Sequence, residues 1–344
     1  MSESRDADAI VSLRTTSYEL RAANSQFAIR NSKFLMRPLT ETLDPIAASG
    51  EGDSPREPVS PTSASSEAFD LWIEAGHTEK HYWADLWRYR ELFYILAWRD
   101  VAVRYKQTVA GAAWALIQPF LSMVIMTVIF GKVAGLPSEG TAPYAIMVFA
   151  AMLPWQFFAT ALSSSSQSVV NNAGLISKVY FPRLIIPTSS VVVSLIDFCV
   201  SCSILAGLMV WYQFVPSWRL LTLPIFVLLA IIAALGPGLI ITAMTVRYRD
   251  FRIIIPFVVQ FGLYVSPVAY SSSVLRAKLG DGLFLLYSLN PMVGVIDGFR
   301  WAVLGGASQL HGTGFTLSVV LSLVLLVVGI WYFRKTERVF ADVI

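Results

Sequence analysis

The side chains with which a chain usually does chemistry are few here and widely spread. His77, His81 and His311 form no ligand set, and no H-E-x-x-H pattern occurs. Cys199 and Cys202 share one apolar run with no further cysteine and no nearby histidine. That is neither a metal site nor a disulfide framework, and they read as small residues facing lipid or a neighbouring helix. Gly131-Lys132 is followed by Val133 and lacks the earlier glycine of a phosphate-binding loop. Gly236-Pro237-Gly238 lies inside an apolar run, where it is expected to bend a helix rather than cradle a phosphate. No catalytic residue, metal site or cofactor is therefore expected in this chain. One acidic group stands out. Asp197 interrupts an apolar stretch near its middle, where a charge is either functional, as in a proton relay, or held by hydrogen bonds from neighbouring helices. A relay would need a second acid or histidine at similar depth, and none is found.

The elements around these residues are built for lipid. Of 344 residues, 55% are hydrophobic and 14% charged, against roughly 25% charged in a soluble domain. Mean hydropathy is +0.60. The net charge of +3 gives no global field that would attract nucleic acid. Residues 1–37 are mixed polar with no apolar core, so no signal peptide is expected and the first span must double as the targeting signal. Residues 1–80 read as a disordered cytoplasmic tail, Ser- and Pro-rich from 49 to 66. Residues 81–106 read as an amphipathic helix. Trp83, Leu86, Trp87, Tyr94, Ala97, Trp98, Val101 and Tyr105 fall on one face, interrupted by Arg90, whose stem can snorkel, with Asp85, Arg88, Arg99, Asp100 and Lys106 elsewhere. Such a helix suits the headgroup plane just before a span, although a soluble helix packed on a partner would share the pattern.

Residues 107–344 then carry long uncharged stretches, each long enough for one span of about 20 residues. Six spans are expected, near 111–132, 144–166, 187–212, 219–243, 253–271 and 314–333. Fourteen Lys and Arg lie in the connections of one side, against five on the other: Lys132, Arg219, Arg276, Lys278 and Arg300. The richer side is cytoplasmic, and an even number of spans places both termini there. Between spans five and six, Leu283–Leu289 and Met292–Leu304 flank Asn290-Pro291. Each piece is too short to cross, so a re-entrant helical pair is expected, with Asn290, Pro291, Asp297, Arg300 and Trp301 at an exit. Asp297 and Arg300 then face water or each other.

The connection Asn171-Asn-Ala-Gly-Leu-Ile-Ser-Lys-Val-Tyr-Phe-Pro-Arg-Leu-Ile-Ile-Pro187 places Leu175, Ile176 and Val179 on one face of a short helix. Either the protein's own helices cover this stripe or a soluble partner does. The segment resembles the coupling loop of ABC-2 type permeases, above all those that export polysaccharide. Leu96-Ala-Trp-Arg-Asp-Val-Ala-Val-Arg-Tyr-Lys-Gln107, Gly111-Ala-Ala-Trp114 with Gln118-Pro119, and Leu153-Pro-Trp-Gln-Phe-Phe158 are similar to that family. So are Val246-Arg-Tyr-Arg-Asp-Phe251, Val265-Ser-Pro-Val268, Leu289-Asn-Pro-Met292 and Phe340-Ala-Asp-Val-Ile344. The resemblance spans about residues 82–344.

It implies the all-α, type V exporter fold in a bacterial inner membrane. It further implies a homodimer with a pore on its two-fold axis, two copies of a separate ATPase that holds the ATP and Mg, and export of a lipid-linked polysaccharide such as O-antigen to the periplasm. On this reading Asn171, Leu175, Ile176, Lys178, Val179, Tyr180, Phe181, Pro182 and Arg183 meet the ATPase. Trp114, Phe120, Phe257, Phe261 and Tyr264, on spans one and five, wall the pore; without the resemblance they read equally as filler facing lipid. Teichoic acid or capsule export fits the same fold, and drug or haem export fits it less well. An ion-coupled secondary transporter would show repeated halves and charged midplane residues. A membrane glycosyltransferase would need more acidic groups than Asp250 at the membrane face.

Overall fold

The structure, a computed structural model, describes residues 82–106, 109–140, 142–248, 250–305, 308 and 310–340. The expected tail at 1–80 lies outside the described residues, as do His77, His81 and the final four residues of the chain.

Among the described residues every regular element is helical. Helix α1 (Tyr82–Arg88) leads into α2 (Arg90–Lys106) and then α3 (Val109–Met126), which continues through a π-helical stretch at Thr127–Val133. Next come α4 (Tyr144–Asn171), the single turn α5 (Ala173–Ile176) and α6 (Ile185–Trp211). A 3₁₀ turn at Trp218–Thr222 opens α7 (Leu223–Arg247). The chain closes with α8 (Phe251–Val265), α9 (Ser272–Tyr287), α10 (Pro291–Leu304) and α11 (Gly312–Thr336).

Five of these segments are long and apolar enough to cross a bilayer: Leu116–Val133, Tyr144–Asn171, Ile185–Trp211, Trp218–Arg247 and Gly312–Val339. The span expected near 253–271 differs. Helix α8 has 15 residues, about 22 Å at 1.5 Å per residue, and stops at Ser266-Pro267. It is too short for the ~30 Å hydrocarbon core. After a short non-helical segment, α9 and α10 form a pair bent by 119°. A bent helical pair is thus present where a re-entrant one is expected, with its first helix beginning at Ser272 rather than near Leu283.

Helix α4 is the axis of the bundle. Its 28 residues are mostly buried, and α3, α6, α7, α8 and α10 all pack on it. Small residues make this possible. Ala145, Ala150, Ala151, Ala161, Ser165 and Ser166 are buried along it and let neighbouring backbones come close. The Thr242 hydroxyl of α7 lies 2.8 Å from the Ser165 carbonyl, a polar link between two spans. The closest crossing is α7 on α11. A Cβ built on Gly236 would sit 2.7 Å from the backbone of Leu325 and Leu326, and one built on Gly329 would strike the carbonyl of Gly236. Gly236-Pro237-Gly238 therefore lies in a continuous helix and serves contact, where the sequence suggests a bend.

Helices α1 and α2 are tied to the bundle at three levels. Tyr82 Oη donates to Glu337 Oε2 at 3.1 Å, beyond the end of α11. Burial pushes the Tyr82 hydroxyl well above the ordinary tyrosine range, and the neighbouring Glu337 carboxylate adds to this. Arg99 Nη2 donates to Asn172 Oδ1 at 2.8 Å. At the far end, Tyr105 donates to Asp197 and Arg104 pairs with it at 2.6 Å. The mid-span acid is thus held by a hydroxyl and a guanidinium from α2. Tyr82, Leu96 and Ala97 face inward, while Trp83, Trp87, Tyr94 and Trp98 stay exposed. The expected stripe is therefore divided: Ala97 packs on the bundle, while Trp83, Trp87, Tyr94 and Trp98 face out.

Replacing Gly329 with Val forces this crossing apart. Overpacking of a tight contact costs about 1–3 kcal/mol. Purified Gly329→Val protein is expected to melt several degrees below wild type, whereas Gly207→Ala, at a position with open space around it, should melt like wild type.

Candidate functional site

The segment between α8 and α9 is non-helical backbone reached only about 22 Å from the start of α8, so its polar groups lie where water cannot serve them. Side chains do so instead. Three successive carbonyls are met in order: Val268 accepts from Arg300 Nη2 at 2.7 Å, Ala269 from Tyr144 Oη at 2.6 Å, and Tyr270 from Arg300 Nη1 at 2.8 Å. Arg300 Nε also reaches the Met147 carbonyl at 3.4 Å. Its side chain is fully buried, with the Glu139 carboxylate 3.9 Å away.

The α9–α10 turn is sealed in the same manner. Asn290 Oδ1 caps α10 by accepting from Met292 N at 3.0 Å, and its amide donates to Ser266 Oγ at 3.0 Å. Pro291 occupies the first turn of α10, where its missing N–H costs nothing. Ser318 Oγ on α11 donates to the Ser288 carbonyl at 2.9 Å and accepts from Gly294 N at 3.2 Å. Asp297 accepts from Ser272 Oγ at 2.7 Å, which fixes the start of α9.

Asp297 and Arg300 consequently do not face water at an exit, nor do they pair directly. Met292 to Arg300 are buried without a break, because α4, α7 and α11 enclose α10. Trp301 is half-buried under the Arg219 guanidinium, 4.7 Å from its ring. The member of the hairpin with an open apolar face is α9, through Leu279, Leu283 and Leu286. Tyr144, Ser266, Tyr270 and Ser318 were not legible as partners. The only local sign was Ser266-Pro267, which marks a helix end without saying what covers it.

The predicted coupling loop sits at the opposite end of the bundle. Helix α4 ends at Asn171, and Asn172 carries the turn by donating its amide to the Ser168 carbonyl at 2.8 Å. The expected stripe divides here as well. Ile176, Phe181 and Pro182 are buried; Ile176 and Phe181 join Leu184, Leu96, Phe333 and Phe340 in a satellite core. Leu175 is half-buried. Lys178, Val179 and Tyr180 point outward, with Val179 50% and Tyr180 60% exposed. Arg183 is held by the Glu337 carbonyl and lies over the Phe340 ring at 6.0 Å.

The five aromatics of the predicted pore wall are all exposed in the single chain, from 43% at Phe120 to 63% at Phe261. Phe257 and Phe261 stack with their centres 5.8 Å apart. Helices α3 and α8 each lean on α4, but α8 contributes only Ile255 to the buried set. Its inner contact is close: a Cβ on Gly262 would meet the Trp155 ring at 2.6 Å.

A helical bundle with a broken penultimate span, a sealed hairpin and a loop presented at the other end is the context against which similarity can be weighed. Residues 91–304 match the sequence model of the ABC-2 type transporter family. The chain belongs to this family. It is a membrane permease subunit, the non-catalytic part of a transporter that works with an ATPase. The permease is 27% identical over 216 residues to the O-antigen export system permease protein RfbA of Myxococcus xanthus, covering 63% of this chain and 81% of the relative. It is 26% identical over 261 residues to the RfbA permease of Klebsiella pneumoniae, covering 74% and 95%. It is 22% identical over 248 residues to the polysialic acid transport protein KpsM of Escherichia coli, covering 70% and 91%.

Arg300→Met in this permease keeps the stem but leaves two buried carbonyls unmet, at about 1–3 kcal/mol each. A lowered melting temperature is expected. Arg300→Lys should recover only part of it, since one ammonium cannot fork to Val268 and Tyr270 together. Thermal unfolding of the purified variants reads both effects.

Proposed function

We propose that this permease is the membrane half of an ATP-driven exporter that carries a lipid-linked, O-antigen-like polysaccharide out of the cytoplasm. The observation that carries the reading is the exposed aromatic face of α3 and α8 in a chain whose RfbA relatives are O-antigen export permeases. Sugar rings present C–H faces that rest on aromatic rings. A flat aromatic wall lets a polymer slide without one deep well, and a channel must bind weakly enough to release. A second copy of the chain covers these faces and brings its own α3 to the first copy's α8, so that Trp114, Phe120, Phe257, Phe261 and Tyr264 wall a shared path. The loop end, rich in Lys and Arg, lies in the cytoplasm with both termini. There each copy receives one ATPase subunit, which holds ATP and Mg; the permease itself uses no cofactor. Capsule-type polymer is the second reading, favoured by the likeness to KpsM.

A cell lacking this chain should lose its surface polysaccharide and accumulate the lipid-linked glycan inside. Restoring the permease with Phe257, Phe261 and Tyr264 all changed to Ala should return clearly less surface glycan than wild type. The reconstituted variant complex should also leak ions at rest, because the ring belt closes the empty path by dewetting. Normal surface polysaccharide in the deletion strain refutes export; full recovery and an ion-tight triple variant refute the path.

Docking of the ATPase rests on the outward residues of the loop. Val179→Asp with Tyr180→Asp puts two charges into that contact and should abolish co-purification of the ATPase while the permease stays folded and inserted. Ile176→Asp should instead reduce the yield of folded permease, since it buries a charge in the satellite core. Normal co-purification of the Val179/Tyr180 double variant would show that the ATPase seats elsewhere.

A further inference from the structure

One face of α11 changes character within three turns. Val327, Ile330 and Trp331 are followed at helical spacing by Arg334 and Lys335, and Arg338 comes next in the 3₁₀ turn that follows. This face walls a cavity of about 1000 Å³. Residues 180–183 of the loop form the opposite wall, and Tyr82, Trp83 and Asp85 of α1 close the side. The cations are aimed by aromatic rings: Arg334 lies 4.4 Å from the Tyr82 ring centre, and Lys335 Nζ 5.2 Å from that of Trp331. A ring face holds a cation without neutralising it. Among the described residues no carboxylate is within ion-pair distance of Arg183, Arg334 or Lys335. Glu337 also lines the cavity; its buried carboxylate accepts from Tyr82 and feels Arg183 and Arg334 without forming an ion pair with either, so basic groups outnumber acidic ones there.

The cavity is therefore apolar where α11 leaves the hydrocarbon and basic one turn further out, with exposed Trp83 and Trp331 at the boundary. Tryptophan favours this depth. A soluble anion has use for the basic half only, and a protein partner has no reason to follow a gradient along the membrane normal. We infer that this cavity is a binding site for an anionic membrane phospholipid. Its phosphate sits between Arg334 and Lys335, and an acyl chain lies along Val327 and Ile330. Bound there, the lipid bridges α1, the loop and α11, next to the outward Val179 and Tyr180. The site is separate from the aromatic faces of α3 and α8 and does not depend on what the transporter carries.

The test uses the full-length permease bound to its ATPase, exchanged into detergent and analysed by native mass spectrometry. Phosphatidylglycerol and phosphatidylcholine of identical chains compete, and inorganic phosphate is added to a delipidated sample. Phosphatidylglycerol should be retained preferentially and should raise the melting temperature, whereas inorganic phosphate alone should not. Loss of charge-assisted contacts in the Arg334→Gln/Lys335→Gln variant should lower retention about tenfold or more. Val327→Trp, which fills the acyl slot and leaves every charge in place, should lower it as well. Equal retention of the two lipids overturns the inference, and so does wild-type retention by both variants. A thermal shift from inorganic phosphate alone would show a free-anion site, and lipid held by the permease alone but missing from its complex with the ATPase would show a protein seat; either result also overturns it.

Discussion

Hydrocarbon offers no partner for a peptide carbonyl, and an unpaired one costs several kcal/mol there. This fold breaks a membrane helix at Ser266-Pro267 and turns the chain again at Ser288–Pro291, so it must supply those partners itself. A fully buried arginine is the main solution. One guanidinium on α10 reaches Val268 and Tyr270, and Tyr144 on α4 takes the carbonyl between them. Burying a guanidinium is itself costly, and three backbone carbonyls with Glu139 at 3.9 Å offset that cost. The hairpin exists because its own inner helix carries the donors that let the preceding span end early.

That arrangement governs what the rest of the bundle can do. With α10 enclosed by α4, α7 and α11, the hairpin end is anchored to the most tightly packed helices. The glycine crossing of α7 on α11 and the alanine- and serine-rich α4 make this a rigid block. Helices α3 and α8 lie outside the block, each held along one side and open along the other. In this chain the two parts are also distinct in composition, small residues in the block and aromatics on the open faces.

The opposite end has its own junction. Tyr82 reaches Glu337, Arg99 reaches Asn172, and Arg183 reaches the backbone beyond α11. The loop after α4 is thus wedged between the first helix and the last, with Ile176 and Phe181 as its inner anchors. The loop runs into α4 through the Asn172 turn and into α6 at Ile185, and these two helices pack on each other. Through α2 the same junction continues to Asp197, so the one mid-span acid belongs to this network by way of Arg104 and Tyr105.

The sequence by itself determined the solvent, the class and most of the spans. Twenty-residue uncharged runs can satisfy their backbone only as helices in lipid. The Lys and Arg bias among connections and the ordered motifs from Leu96 to Met292 likewise needed no coordinates. Asn290-Pro291 announced a helix start, because capping and the missing N–H are local properties. Tertiary structure alone decided which side of each apolar stripe is covered. Leu175, Ile176 and Val179 are alike in hydropathy, yet only Ile176 turns fully inward, and the Trp83–Tyr105 stripe divides in the same way. Nor does the charge-free run reveal that α8 ends at Val265, since no charged residue follows until Arg276. What ends the helix is Pro267, and what makes the ending tolerable is an arginine 33 positions later. Pairing across such a distance is fixed by how helices pack, and periodicity along the chain carries no record of it.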